Sequence, residues 1–198
     1  MAQPRHQPAT YADIEALPPN VVGEILYGQL VTQPRPALPH IAAASAMGGV
    51  LNPPFQFGSG GPGGWIIADE PELHLGPHVV VPDLAGWRRE RLAGRENVAW
   101  VDIVPDWVCE ILSPSSEVYD RGVKRRIYAT YGVDHLWLLD PRSKLLEVFR
   151  RQNGDWLLTH NFAGEENVSA PPFDAVTFSL GLMWPFDPPA EATQEEGA

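Results

Sequence analysis

The sequence predicts an α/β fold of the mixed α+β kind, a central mixed β-sheet flanked by helices, and three observations predict it. Apolar, β-branched runs of strand length alternate with helical stretches in the order helix, strands, helix, strands, without an internal repeat. The run Trp107-Val108-Cys109-Glu110-Ile111-Leu112 leads straight into Ser113-Pro114, a capping serine followed by proline at the first helical position. Two such runs place a carboxylate at or near their end: Val79-Val80-Val81-Pro82-Asp83, and the run that holds Glu110.

Taken in order, Thr10 is an N-cap for a short helix through about Leu17, which Pro18-Pro19 stops. Val21 to Thr32 alternates as two short strands turning near Tyr27-Gly28, with Glu24 on the first. An Ala-rich helix begins at Pro39, carries His40 in its first turn, and runs to about Leu51, before Pro53-Pro54. Gly58 to Gly64, with five glycines in seven residues, is a loop; it has no lysine and no phosphate-loop spacing. Trp65 to Ala68, Glu72 to Leu75, Val79 to Leu84 and Trp107 to Leu112 follow as strands. The helix opened by Ser113-Pro114 runs to about Thr130 and ends before Gly132, with Val123, Ile127 and Tyr131 as its core stripe and Asp120 and Lys124 on the neighbouring face. His135 to Asp140 and Leu145 to Arg151 flank a turn at Pro141-Arg142-Ser143, and Trp156 to His160 adds an edge strand.

A chain of 198 residues with 44% hydrophobic content can bury one substantial core, so a single domain over residues 1–186 is expected. Residues 187–198 hold four acids and no Lys or Arg, and read as a flexible acidic tail. No apolar run approaches the roughly twenty residues of a membrane span, and the N-terminus lacks a secretory apolar stretch; a cytoplasmic protein is expected. The lone Cys109 excludes an intrachain disulfide and reads as packing. With 14 Lys+Arg against 25 Asp+Glu, the net charge of −11 opposes non-specific attraction to phosphate polymers. Without the tail it is still about −7, so a nucleic-acid surface must be a local patch. Arg88, Arg89, Arg91 and Arg95 form one basic cluster, and Arg121, Lys124, Arg125 and Arg126 another.

Strand periodicity puts Val108, Glu110 and Leu112 on one face and Trp107, Cys109 and Ile111 on the other. Glu110 is then a charge on an apolar stripe, and burying it costs several kcal/mol unless it is paired, protonated or bound to a cation. A nearby Arg or backbone amides would satisfy one such acid. Two acids in matched settings, Asp83 and Glu110, point instead to a site for a hard metal ion.

The ordered series Val80-Val81-Pro82-Asp83, Val108 to Ser116, Asp120, Lys124, Tyr128, Gly132-Val133 and Leu136 to Pro141 resembles the Uma2 family of endonucleases, within the restriction-endonuclease-like PD-(D/E)XK superfamily. The likeness runs from about Thr10 to Trp184 and is strongest between Val79 and Pro141. It implies a restriction-endonuclease-like core with the Asp and Glu on neighbouring strands and a Lys two residues after the Glu. This chain has Leu112 there. The resemblance implies that Lys124, on the next helix, takes over; the plain alternative is a surface Asp120–Lys124 ion pair worth a few tenths of a kcal/mol.

What the resemblance implies is a metal-dependent endonuclease acting on nucleic acid, with DNA the expected substrate and Mg²⁺ or Mn²⁺ the cofactor. Asp83, Glu110 and the backbone carbonyl of Ile111 would hold the ion. Glu24 would orient a water or approach a second ion, and Lys124 would stabilise developing negative charge. His40, Ser113, Ser115 and Arg121 are expected to contact substrate. A homodimer through apolar strands near Trp137 and Trp156 would suit cutting two strands. Ser113 lacks a nucleophile elbow, and Gly76-Pro77 breaks any helix that would align His74 and His78 for zinc. Two other readings stand: a nuclease-like binding module that lost its strand lysine, and a glycoside hydrolase using the Asp83/Glu110 pair.

Overall fold

The computed structural model describes residues 7–95 and 97–187. Helix α1 (Tyr11–Glu15) is capped by Thr10, whose N–H and hydroxyl both donate to Asp13, at 2.7 and 2.9 Å. Strands β1 (Gly23–Leu26) and β2 (Gln29–Thr32) form a hairpin, and both turn residues, Tyr27 and Gly28, have positive φ, as a two-residue turn matched to strand twist requires. Helix α2 (Leu38–Leu51) precedes β3 (Trp65–Asp69), β4 (Leu73–Leu75), β5 (His78–Val80), β6 (Leu84–Arg88) and β7 (Trp107–Ile111). Helix α3 (Arg125–Tyr131) leads to β8 (His135–Asp140), β9 (Leu145–Gln152) and β10 (Asp155–Ala163). A small pair, β11 (Asn167–Val168) and β12 (Phe178–Ser179), follows.

The central sheet has six strands in the order β10-β9-β8-β7-β6-β3, antiparallel except for β7 and β8, which run parallel. A parallel neighbour needs a crossover, and the helical segment ending in α3 supplies it. A second sheet of four strands, β2-β1-β5-β4, is antiparallel. The alternation expected for β7 sets the layers. Trp107, Cys109 and Ile111 pack with Ala43, Met47 and Leu51 of α2 and with Phe173, Leu180, Met183 and Trp184 from the C-terminal part. Val108 and Leu112 face Ile127, Tyr128 and Val133 around α3 together with Leu26, Leu73, Leu75 and Val80 of the smaller sheet.

Several elements differ from the expectation. Val79 to Leu84 is not one strand: β5 ends at Val80 in the small sheet and β6 begins at Leu84 in the large one. Pro82, with no N–H to give a ladder, lies in the step between them. The chain after α2 does not stop at Pro53-Pro54 but continues as a π turn, Asn52–Gln56. Pro53 and Pro54 have no N–H to give the last carbonyls of α2, and the helical chain widens to π spacing there instead of continuing as α-helix. The helix expected from Ser113 becomes a turn, a π segment over Tyr119–Lys124, and then α3, ended by Gly132 at φ 95°. Helix α1 ends at Glu15 rather than Leu17, and β10 runs to Ala163 rather than His160.

Trp137, expected near an exposed dimerisation surface, is fully buried and meets Trp107 edge-on at 5.6 Å. Asp187 pairs with Lys144, while the rest of the expected acidic tail lies outside the described residues. Among the described residues no helix is long and apolar enough to cross a membrane.

Phe173, from the C-terminal stretch to which the sequence assigns no element, lies 4.7–5.7 Å from the rings of Phe55, Trp65, Trp107 and Trp137. Phe173→Ala should therefore cost about 3–5 kcal/mol. Urea denaturation measures this; a loss below about 1 kcal/mol would show that the aromatic cluster closes over the gap or contributes little.

Candidate active site

The step from one sheet to the other builds the site. In β6 and β7 Leu84 faces Cys109 and Ala85 faces Val108, so the antiparallel register brings Asp83, one residue before β6, opposite Glu110. The Ile111 N–H donates to Asp83 Oδ2 at 2.6 Å, and the Asp83 carbonyl accepts from Glu70 N–H at 3.0 Å. Strand β1 contributes Glu24, whose Oε1 accepts the Val81 N–H at 2.8 Å. The two sheets are thus joined at the site by carboxylates bonded to the backbone.

Lys124 comes from the π segment of the crossover. Its Nζ lies 2.9 Å from Glu110 Oε1, 3.2 Å from Glu24 Oε1 and 3.4 Å from Asp120 Oδ1, and donates to the Val81 carbonyl at 3.2 Å. Lys124 is 4% exposed and Asp120 2%, so theirs is no helix-surface pair. Turns with π spacing recur at functional sites. Tyr128, one turn on, donates its hydroxyl to Glu110 Oε1 at 2.6 Å.

Burial drives the titration of this cluster. It raises Glu110 well above the usual carboxylate range, with Asp120, Asp83 and Glu24 adding to the rise and Lys124 opposing it. Burial also raises Asp120, against Lys124 and a hydrogen bond with Ser116. For Lys124 burial acts downward, but Glu110, Glu24, Tyr128 and Asp120 outweigh it and hold the ammonium well above its ordinary value. The contacts of Glu110 with Lys124 and Tyr128, and those of Glu24 with Lys124 and the Val81 N–H, are made through Oε1.

Glu24, His40, Asp83, Glu110, Ser113, Ser115 and Lys124 all line one cleft of about 540 Å³. His40 turns Nε2 toward Asp83 Oδ1 at 3.2 Å, while its buried Nδ1 has no hydrogen-bond partner. Burial disfavours its charge, but Asp83, the Ile111 backbone and Asp120 prevail and raise its pKa. The Ser113 hydroxyl accepts from the Ser116 N–H at 3.2 Å and lies 3.0 Å from Ser115 Oγ, so it caps the turn that follows β7. The side chain of Ile111 belongs to the core.

Arg121 is not brought to the cleft. It lies next to Asp120 on the helical segment but on another face, and is engaged by Glu117 and Glu147 on a separate groove with Arg125, Arg126 and Trp156. The sequence reading also leaves out the contact of Tyr128 with Glu110. Extending the Asp120/Lys124 stripe by one more four-residue step reaches it.

Among the described residues no three of His, Cys, Asp and Glu form a ready-made metal cage. The architecture, a central mixed sheet flanked by helices with acids where neighbouring strands meet, is a restriction-endonuclease-like α/β core. Residues 8–182 match the model of the Uma2 family, described as "Putative restriction endonuclease", and the chain belongs to that family. A crystal structure of "a putative nuclease belonging to DUF820" from Anabaena variabilis superimposes with a TM-score of 0.73 at 25% identity, covering 89% of this chain and 98% of that one. A protein of Synechocystis described as uncharacterized is 36% identical over 63 residues, which span 31% of this chain and 33% of that protein.

Lys124→Met keeps an unbranched apolar stem but leaves Glu24, Glu110 and Asp120 buried without a cation, and should destabilise the fold by about 3–5 kcal/mol at neutral pH. Buried acids with raised folded pKa values contribute their stability when protonated and lose it as pH rises through those values. The deficit should therefore shrink between roughly pH 8 and pH 5. Denaturant melts at both pH values test this, and a deficit that grows on acidification would contradict it.

Proposed function

We propose that this chain is a metal-dependent endonuclease that hydrolyses phosphodiester bonds of nucleic acid, with DNA as substrate. The observation that carries the reading is the convergence of Asp83, Glu110, Glu24 and Lys124 on one cleft at the junction of the two sheets. Membership of the Uma2 family supports the reaction class.

The donor set fits a hard divalent cation. The carboxylates of Glu24, Asp83 and Glu110 line the cleft, and acids outnumber cations there. Such chemistry selects Mg²⁺ or Mn²⁺ over softer metals, and two carboxylates and a carbonyl suffice when water completes the shell. Asp83, Glu110 and the Ile111 carbonyl would hold it. When bound, the ion supplies charge neutralisation at the phosphate and a lowered pKa for the attacking water.

The protein's own groups do the rest. In hydrolysis a water oxygen bonds to phosphorus, the bond from phosphorus to the 3′ oxygen breaks, the water loses a proton and the leaving oxygen gains one. Glu24 accepts a hydrogen bond from the water and orients it. Lys124, fixed by three carboxylates and the Val81 carbonyl, presents positive charge to the oxygens as charge builds in the transition state. His40, bonded to Asp83, holds that carboxylate in place, and Tyr128 does the same for Glu110. Ser113 and Ser115 offer hydroxyls to the substrate backbone at the rim of the cleft.

A second reading, a binding module without catalysis, draws on the absence of a strand lysine and on the full engagement of Lys124 by carboxylates. Two isosteric variants separate the readings. In Asp83→Asn the amide oxygen still accepts the Ile111 N–H, and in Glu110→Gln it still accepts the Tyr128 hydroxyl, so both should fold at least as stably as wild type. Both should lose Mn²⁺-dependent plasmid cleavage. Mn²⁺ at a hundredfold excess over its dissociation constant should stabilise wild type by about 2.7 kcal/mol and the variants far less. Undiminished cleavage by both, or equal melting shifts in all three proteins, would remove the catalytic assignment of this site.

A further inference from the structure

Five acids line the cleft: Glu24, Glu70, Asp83, Glu110 and Asp120. A phosphodiester adds negative charge to that wall, on a chain whose net charge is already −11. Beyond the divalent ion and Lys124 at the reacting phosphate, entry of the flanking strand is favoured by a cation that is not already neutralised. Lys124 is engaged by three carboxylates, and the imidazole of His40 is turned onto Asp83. Among the described residues, the remaining cation on the cleft is Arg35. It is exposed and makes no ion pair or hydrogen bond with any described residue, whereas Arg91, Arg95, Arg121, Arg142, Lys144 and Arg151 are each paired with an acid.

The chain around Arg35 is built to present it. Gln33-Pro34-Arg35-Pro36 spans the gap between β2 and α2, and all four residues line the cleft. Each proline fixes its own φ and pushes the residue before it, Gln33 and Arg35, toward extended backbone. The segment thereby loses less conformational freedom when a ligand orders it. A planar guanidinium presents two parallel N–H donors that match two oxygens of a phosphate.

We propose that Arg35 is the phosphate-binding residue at the mouth of the cleft, gripping the anionic oxygens of a nucleic-acid backbone as the strand enters. This rests on the nuclease reading and extends it to a residue outside the metal-binding and transition-state machinery. Arg35 fixes the strand; it does not touch the reacting bond.

The test is fluorescence anisotropy with a labelled DNA duplex in Ca²⁺ buffer at graded salt, using the full chain as wild type, Arg35→Ala, Arg35→Lys and Arg126→Ala. Arg126 is exposed, lies on the separate groove and serves as a control of equal charge. Arg35→Ala should bind about tenfold more weakly, with the slope of log affinity against log salt reduced by about 1. Arg35→Lys should fall between it and wild type, and Arg126→Ala should match wild type. In Mn²⁺ with saturating DNA, Arg35→Ala should keep a kcat within about twofold of wild type, since the loss is in binding. If wild type cuts DNA and Arg35→Ala binds with wild-type affinity and slope, or if Arg126→Ala weakens binding equally, the proposal is overturned while the nuclease reading stands. A wild type that neither binds nor cuts removes both.

Discussion

Lys124 has to be neutralised where it lies, and that requirement ties together parts of the chain that are far apart in sequence. Its ammonium meets Glu24 from β1, Glu110 from β7 and Asp120 from its own helical segment, with the Val81 carbonyl closing the set. None of these groups tolerates burial alone, since an uncompensated charge in the interior costs several kcal/mol. The cluster is therefore a geometric constraint as well as an electrostatic one: β1, the step between β5 and β6, the end of β7 and the crossover segment must arrive together. Three acids meet one cation there, and burial raises two of them, Glu110 and Asp120, toward their protonated forms; a divalent cation would favour the ionised forms.

The same arrangement explains why the two sheets meet at this point. Pro82 interrupts the ladder, the chain changes sheet, and Asp83 is left at the entrance to β6, bonded to the backbone of Ile111. Because the strand breaks, Glu24 of the smaller sheet and Glu110 of the larger one meet on the same Lys124 ammonium. The break in the strand is thus part of how the cleft forms.

Much of this is legible in the residues. The alternation of Trp107 to Leu112 assigns each side chain to the correct core, because a strand buried on both faces still obeys a period of two. Asp83, Glu110, Glu24 and Lys124 stand out in the sequence because charge among apolar β-branched residues needs a partner. What escapes is set by tertiary context. The π spacing at Pro53-Pro54 and at Tyr119–Lys124 has no period of its own that a short segment could display. The C-terminal stretch that delivers Phe173, Leu180 and Trp184 to the core has strands of only two residues, too short to alternate visibly. Arg121 looks equivalent to Lys124 in composition, yet lies one residue after Asp120 and so on another face. Arg35, between two prolines in a stretch without regular structure, carries no periodic signal at all.

The most direct measurement is anomalous diffraction from crystals of the full chain soaked in Mn²⁺. An ion within coordination distance of both the Asp83 and Glu110 carboxylates, with the Ile111 carbonyl as a further ligand, is the predicted result. At saturating Mn²⁺, no anomalous peak in the cleft and Lys124 still bonded to Glu24, Glu110 and Asp120 would contradict it. The cluster would then be a structural device of the fold, and the cleft would need another chemistry.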